Sequence, residues 1–318
     1  MDLRDLAYFE VIADLGHLGR AAERLGRTQP ALTKCIQRLE ASVGAELFAR
    51  SSRGLALTQV GEVLLARARR MRTAMDEALR EVSDFAAGAA GHVRIGTGAT
   101  MAEYLLPQVC RALIAAAPAV TVELQIGMSG VLRTALRDNQ LDLIIGPVLA
   151  SDHDEFAHVT FGTDDVVVVA ARGHPLCGRP LSIEDLVKWK WVLPAKSVAM
   201  RQWLDTVFQA HGLPGPAVQI ETNSITMLPR LIGETDLLSF TSTRNLLPDR
   251  LGGRLERLGL DATTMRRPLG CVYRREGYLS PAALRVVTLL QTQGSMLLSP
   301  DPSPSSARAA AQDGRVTA

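Results

Sequence analysis

Several things are scarce in this 318-residue sequence, and each scarcity narrows its chemistry. The four cysteines, Cys35, Cys110, Cys177 and Cys271, lie far apart and form no CxxC pair. Reduced thiols are therefore expected, with neither a zinc cluster nor a disulfide framework. No apolar run reaches the roughly 18 residues of a membrane span. Asp2 and Asp5 stand where a signal peptide would carry only basic residues, so a soluble, cytoplasmic chain with no membrane contact is expected. GxSxG, HExxH and P-loop patterns are missing. Gly96-Thr97-Gly98 imitates the start of a dinucleotide fingerprint, but Met101 occupies the place of the third glycine. The grouping of His153, Glu155 and His158 reads as a solvated connection and not as a metal site. No enzyme, cofactor or metal site is expected.

Net charge is also small, at +2, but it is unevenly spread. Residues 16–72 hold eleven basic and four acidic side chains, a balance of +7, and the remainder carries −5. A local basic module of this kind is a footprint for a polyanion. The chain is 47% hydrophobic and 21% charged. That is enough apolar material for folded cores, and the length suggests two or three domains of roughly 100 to 200 residues each.

Three short helical patterns precede residue 45. Leu3, Leu6 and Phe9 begin the first, Gly16 breaks it, Leu18, Ala21, Ala22 and Leu25 form the second, and Gly26 breaks again. Thr28 is placed as an N-cap for the third, Pro30 suits its first turn, and Leu32, Ile36, Leu39 and Val43 make its inward stripe. The opposite face carries Gln29, Thr33 and Gln37 beside Lys34 and Arg38. Amide, hydroxyl and cationic groups there are what major-groove reading needs. Apolar pairs then flank Arg50 to Gly54, which reads as a hairpin tipped by Arg50 and Arg53, and the whole as a winged helix-turn-helix.

The stretch from Ala21 to Leu25, then Thr28 to Thr33, Ile36, Leu39-Glu40, Val43-Gly44, Leu47-Phe48, Arg50 and Thr58 with Gly61, closely resembles the DNA-binding domain of LysR-type transcriptional regulators. The resemblance implies that Gln29, Pro30, Thr33 and Lys34 approach base edges. It implies that Thr28, Arg38, Arg50 and Arg53 hold phosphates or the adjoining minor groove of double-stranded DNA. His17 and Gly19 stand where the family commonly has Ser and Thr, and His17 reads as a surface residue at a helix start.

Residues 59–86 lack proline, lack glycine beyond Gly61 and are rich in Ala, Leu, Arg and Glu, which predicts one long helix. Leu64, Ala68, Met71, Met75, Ala78, Val82 and Phe85 alternate spacings of four and three, a seam suited to a second copy of the chain. Two-fold symmetry would then present two recognition helices to an inverted repeat.

Beyond residue 91, strand patterns over 93–96, 120–126, 141–145, 166–171 and 191–193 alternate with helical ones over 101–117, 131–139 and 200–211. This predicts an α/β fold with mainly parallel sheets. It resembles the regulatory part of the same family: two subdomains like those of periplasmic binding proteins, with a small-molecule effector between them. The expected division is 1–58 for the DNA-binding domain, 59–88 for the linker helix, 91–162 with 267–298 for subdomain I, 163–266 for subdomain II, and a disordered tail over 299–318. Ligands of such folds bind where helix N-termini meet beyond strand ends. Helices open after strands at Thr97 to Thr100 and at Ser129, and the resemblance implies that the Thr100 and Ser129 hydroxyls contact the effector, with Pro147 closing that side and Ser197, ahead of the helix with Arg201, and Asn223 facing the cleft from the other. A small carboxylate or similar anion is the expected effector. The resemblance further implies a homodimer, a homotetramer built from it, and RNA polymerase as a partner. The rival reading is a cytosolic solute-binding α/β protein without DNA function, which a gel shift separates. Replacing Arg53 by Ala should weaken binding to all DNA sequences alike and lower the salt dependence of log K by about one contact's worth, read from a salt titration.

Overall fold

The computed structural model describes residues 2–51, 54–87, 91–224, 227–246 and 253–298. The expected tail over 299–318 lies outside the described residues. The chain divides into two compact units, with the division between Phe85 and Ala86.

In the first unit, α1 (Leu3–Leu15), α2 (Leu18–Leu25) and α3 (Gln29–Val43) each stop at a glycine in the left-handed region. The antiparallel hairpin of β1 (Phe48–Ser51) and β2 (Gly54–Leu57) follows, then α4 (Gln59–Ala87). The apolar stripes close one core that includes Phe9, Ile12, Leu32, Leu39 and Leu47, with Phe9 and Phe48 edge to face at 5.3 Å. Two glycines let backbone meet backbone. A Cβ on Gly54, whose φ is 125°, would lie 2.5 Å from the Gly16 carbonyl, the oxygen that accepts the Leu55 N–H at 2.8 Å. A Cβ on Gly61 would lie 2.2 Å from the Leu47 carbonyl, so only glycine lets the first turn of α4 rest against the hairpin.

The second unit opens with β3 (His92–Thr97), α5 (Ala99–Tyr104), α6 (Leu106–Ala116), β4 (Thr121–Ile126), α7 (Ser129–Arg137), β5 (Leu143–Pro147), α8 (Asp152–Glu155) and the sixteen-residue β6 (Phe156–Ala171). It continues through α9 (Ile183–Val187), β7 (Lys190–Leu193), α10 (Ala199–Ala210), β8 (Ala217–Glu221), α11 (Leu228–Gly233), β9 (Ser239–Ser242), β10 (Leu255–Arg257), β11 (Met265–Arg274) and α12 (Pro281–Leu298). The helix expected over 101–117 is two helices. Pro107 lacks an N–H and would clash with a carbonyl one turn back, so it starts a new helix in whose first turn it fits.

The expectation of mainly parallel sheets is corrected. β4, β3 and β5 are parallel, as are β7 and β8. β11 runs antiparallel to both β5 and β6, and β6 antiparallel to β9 and β10. The reason is connectivity: β6 carries the chain out of the first group of strands and β11 brings it back, so the two lie side by side in opposite directions.

These two strands serve two cores. Phe161 of β6 and Leu269 and Cys271 of β11 pack with Val93, Ile95 and Leu290. Further along β6, Val166, Val168 and Ala170 pack with Trp191, Leu204 and Phe208. Between them sits Asp164, whose side chain is fully buried. Its Oδ2 accepts from Arg267 Nε at 3.0 Å and Nη2 at 2.6 Å, its Oδ1 accepts from Ser242 Oγ at 2.6 Å, and Arg244 Nε stands 3.7 Å away. Arg244 also donates from Nη1 to the Leu298 carbonyl at the end of α12.

Two predictions follow from these charges. Arg38 forks onto the buried Asp5 of α1, and this hydrogen bond holds the Asp5 carboxyl below the ordinary range. A lowered folded value makes the contribution complete above the unfolded aspartate pKa of about 3.9 and lost as pH falls through the folded one. Asp5→Asn should therefore flatten the acid limb of the first unit's stability curve, measured by denaturant melts across acid pH. Asp164→Ala strands two guanidinium groups at a buried site and should destabilise the second unit by about 3 kcal/mol or more, read from chemical denaturation.

Candidate nucleic-acid interface and ligand cleft

The face of α3 opposite its buried Leu32, Ile36 and Leu39 exposes Thr28, Gln29, Pro30, Lys34, Gln37 and Arg38. Thr33 is half-buried and donates its hydroxyl back to the Gln29 carbonyl at 3.1 Å. Thr28 holds the N-cap backbone position, but its hydroxyl caps nothing, which corrects the expected side-chain cap. The second helical residue, Pro30, has no N–H, and the third, Ala31, already donates to the Thr28 carbonyl at 3.1 Å. The Thr28 hydroxyl is thereby left at the surface. His17 caps α2 as expected of a helix-start residue: its Nδ1 accepts from the Gly19 N–H at 3.1 Å. Arg27 was not singled out by its spacing, yet it donates to the Tyr8 hydroxyl at 3.0 Å and ties the turn between α2 and α3 to α1.

The +7 balance is trimmed by α1. Arg38, Arg69 and Arg72 pair with Asp5, Asp14 and Glu10, acids that lie just upstream of the basic stretch. Arg38 remains 57% exposed, but its Nε and Nη2 are committed to Asp5, so its first role is to hold α3 on α1. Arg20, Arg24, Arg27, Lys34, Arg67 and Arg70 form no ion pair among the described residues. Arg50 lies on β1, but its side chain and the whole of Arg53 lie outside the described residues.

On α4 the expected seam is corrected at its start. Ala68 is 2% exposed and belongs with Leu64 to the first unit's own core, because the glycine contact at Gly61 seats this end of the helix against the hairpin. From Met71 the stripe is open: Met71, Met75, Leu79 and Val82 are all exposed. The Phe85 side chain lies outside the described residues.

In the second unit a cavity of about 350 Å³ opens between the two cores. The first turns of α5 and α7 and the end of β5 make one wall, bringing Thr100, Ser129 and Pro147 together. Pro194, the first turn of α10, and Thr222 with Asn223 make the other. Thr100 is 8% exposed, and its hydroxyl has no hydrogen-bond partner among the described residues. The Asn223 Oδ1 accepts the Ala195 N–H at 3.3 Å and fixes the loop before α10. Ser197 does not line the cavity, which corrects that expectation. Val198, one residue later, takes the N-cap of α10, so Ser197 falls outside the helix and is exposed. Arg201 is also turned away, 4% exposed and bonded to Asp205 on its own helix.

Sequence reasoning missed the floor and the bracing of this cleft. Its floor includes Phe240, Ser242, Met265 and Arg267, and Arg267 is the one charged residue lining it among the described residues. Trp203 lines the second wall and stacks on Phe240 at 5.5 Å and 3°. Behind the first wall, the buried Arg133 is paired with Asp152. Arg133 donates to the Pro147 carbonyl at 3.0 Å and the Ser129 carbonyl at 3.3 Å, and Asp152 accepts the Leu149 N–H at 2.8 Å. One ion pair thus holds three wall residues from two segments, the start of α7 and the end of β5 with the turn after it. The expected boundary at 266/267 falls within β11, and sequence alone does not say which side chain of that strand faces the cavity.

Among the described residues no helix is long and apolar enough to cross a membrane, and no three His, Cys, Asp or Glu side chains gather as metal ligands. His153 and His158 meet edge to face at 4.6 Å without a third ligand.

Residues 3–62 match the family described as bacterial regulatory helix-turn-helix protein, lysR family, and residues 86–295 match the LysR substrate binding domain. The SDS degradation transcriptional activation protein of a Pseudomonas species is 32% identical over 89% of this chain and 93% of the relative. The HTH-type transcriptional regulator GbpR of Azospirillum brasilense is 32% identical over 74% of this chain and 70% of the relative. In fold, the chain is similar to the crystal structure of CbnR, a LysR family transcriptional regulator, with a TM-score of 0.61, 21% identity and coverage of 92% of this chain and 99% of that one. CbnR in complex with its target DNA gives the same TM-score at 22% identity. These matches set aside the solute-binding reading without DNA function, and they are to regulators and not to enzymes. Helix-turn-helix and effector-binding domain stand in one chain, and this protein belongs to the LysR family of DNA-binding transcriptional regulators.

Proposed function

We propose that this regulator binds an inverted-repeat operator as a dimer joined along α4, paired further into a tetramer, and that a small anionic effector in the cleft resets the spacing of its DNA-binding modules. The observation that carries the dimer is the open stripe of Met71, Met75, Leu79 and Val82 on the helix that directly follows the DNA-binding module. A two-fold axis along that stripe presents two copies of α3 to two half-sites. In this reading Gln29, Pro30, Thr33 and Lys34 meet base edges, while Thr28, Arg50 and Arg53 meet backbone phosphates. Arg38 adds its remaining nitrogen there.

The regulatory half divides into subdomain I, residues 91–162 with 267–298, and subdomain II, residues 163–266. Thr100, Ser129 and Asn223 are its effector contacts and Pro147 its apolar edge. The Thr100 hydroxyl supports this: it lines the cavity with no protein partner among the described residues, so it is free to donate to or accept from a ligand there. An effector that touches both walls favours the closed arrangement of the subdomains by its differential affinity, and that shift changes the bend of the bound DNA.

The test is operator selection from a randomised half-site pool, followed by footprinting with and without candidate acids. Thr33→Ala should relax base preference at one or two positions, at about 1 kcal/mol or more of lost discrimination per position. An unchanged preference would show that α3 is oriented otherwise. A footprint that no acid alters would count against an anionic effector.

A further inference from the structure

The cleft's lining narrows the effector beyond an anion, and this inference rests on the cleft being the effector site. We infer that its ligand is an amphiphilic monoanion: a flat apolar body of one or two six-membered rings carrying a single carboxylate-class group. The body is set by the walls. Met101, Met128, Met200 and Met265 line the cavity from four separate segments, together with the stacked Trp203 and Phe240. Methionine fills irregular space and packs favourably against aromatic edges, so a ring entering here exchanges water for polarizable sulfur and aromatic contact. A small hydrophilic anion would press its hydration shell against the same side chains with too few polar partners to replace it. The volume, about 350 Å³, is at the small end of organic ligand sites and far larger than an inorganic oxyanion needs.

The single charge is set by the floor. Arg267 lines the cavity, and its Nε and Nη2 both go to Asp164, leaving Nη1 without a partner among the described residues. Asp164 is itself shared with Arg244, so two guanidinium groups stand on one carboxylate and the floor keeps one positive charge in excess. The Thr100 hydroxyl is the second polar group without a partner facing the same space. One carboxylate matches the one lining cation among the described residues, whereas a second anionic group would find only neutral side chains to oppose its charge.

Titration of the full-length protein with benzoate, 2-naphthoate, the neutral 2-naphthamide, succinate and sulfate tests this, read by tryptophan fluorescence and by melting temperature. Benzoate or 2-naphthoate should bind saturably and at least ten-fold more tightly than succinate, sulfate or the amide. Trp203→Phe should lose the fluorescence change while keeping the rise in melting temperature. Met128→Gln should weaken the aromatic acid several-fold. Tighter binding of succinate or sulfate overturns the ligand class and leaves the cleft as the site. Equal binding of amide and acid overturns the charge assignment, and with it the inference. An aromatic acid unaffected by Met128→Gln sits elsewhere and overturns the inference as well. No response to any probe overturns both the class and the reading of the cleft.

Discussion

The regulatory half depends on one buried carboxylate. Asp164 lies where β6 passes from one hydrophobic core to the next, and every oxygen it presents is engaged: Arg267 from the returning strand on one, Ser242 from β9 on the other, with Arg244 close by. A charge at a fully buried position is tolerated only when opposed and hydrogen-bonded, so these partners fix where the two crossing strands may sit. Arg244 extends the same network to the end of α12, and Arg267 extends it to the floor of the cleft. A ligand that touches Arg267 therefore acts on the group that joins the two halves of this unit.

The cleft's first wall shows the same economy. Arg133 and Asp152 are buried behind it and between them hold the backbone of Ser129, Pro147 and Leu149. The residues lining the cavity are mostly apolar or neutral, and the Arg133–Asp152 pair that positions this wall stands one layer back. Rigid placement by groups outside direct contact is what lets a largely apolar surface recognise a particular shape.

The DNA-binding unit solves a different problem, which is to keep a basic surface folded. α1 carries Asp5, Glu10 and Asp14, and these draw Arg38, Arg69 and Arg72 onto it. The unit thus ties α3 and α4 to its first helix with part of its positive charge and leaves the rest exposed on and around α3. The small net charge of the whole chain conceals this concentration: residues 16–72 carry +7, residues 1–15 and 73–85 of the same unit carry −3 each, and residues 86–318 carry +1.

Much of this was legible in the sequence. Local signals fix local structure: the glycines at 16, 26 and 44 end helices because only they adopt left-handed backbone freely, and the residues from Ala21 to Gly61 carry the helix-turn-helix likeness in order and spacing. Thr100, Ser129, Pro147 and Asn223 could be named because each follows a strand or opens a helix, and such positions converge in α/β folds. Ser197 could not be judged, because a shift of one residue in the start of α10 turns it out of the cleft. Leu64 and Ala68 continue the period of the exposed stripe on α4, yet they face the unit's own core, because periodicity reports which residues share a face and not what covers it. The roles of Arg267, Asp164, Arg133 and Asp152 were decided by tertiary structure alone. The two ion pairs among them join residues 19 and 103 apart in sequence, and no local pattern encodes a pairing that exists only once separate segments have been brought side by side.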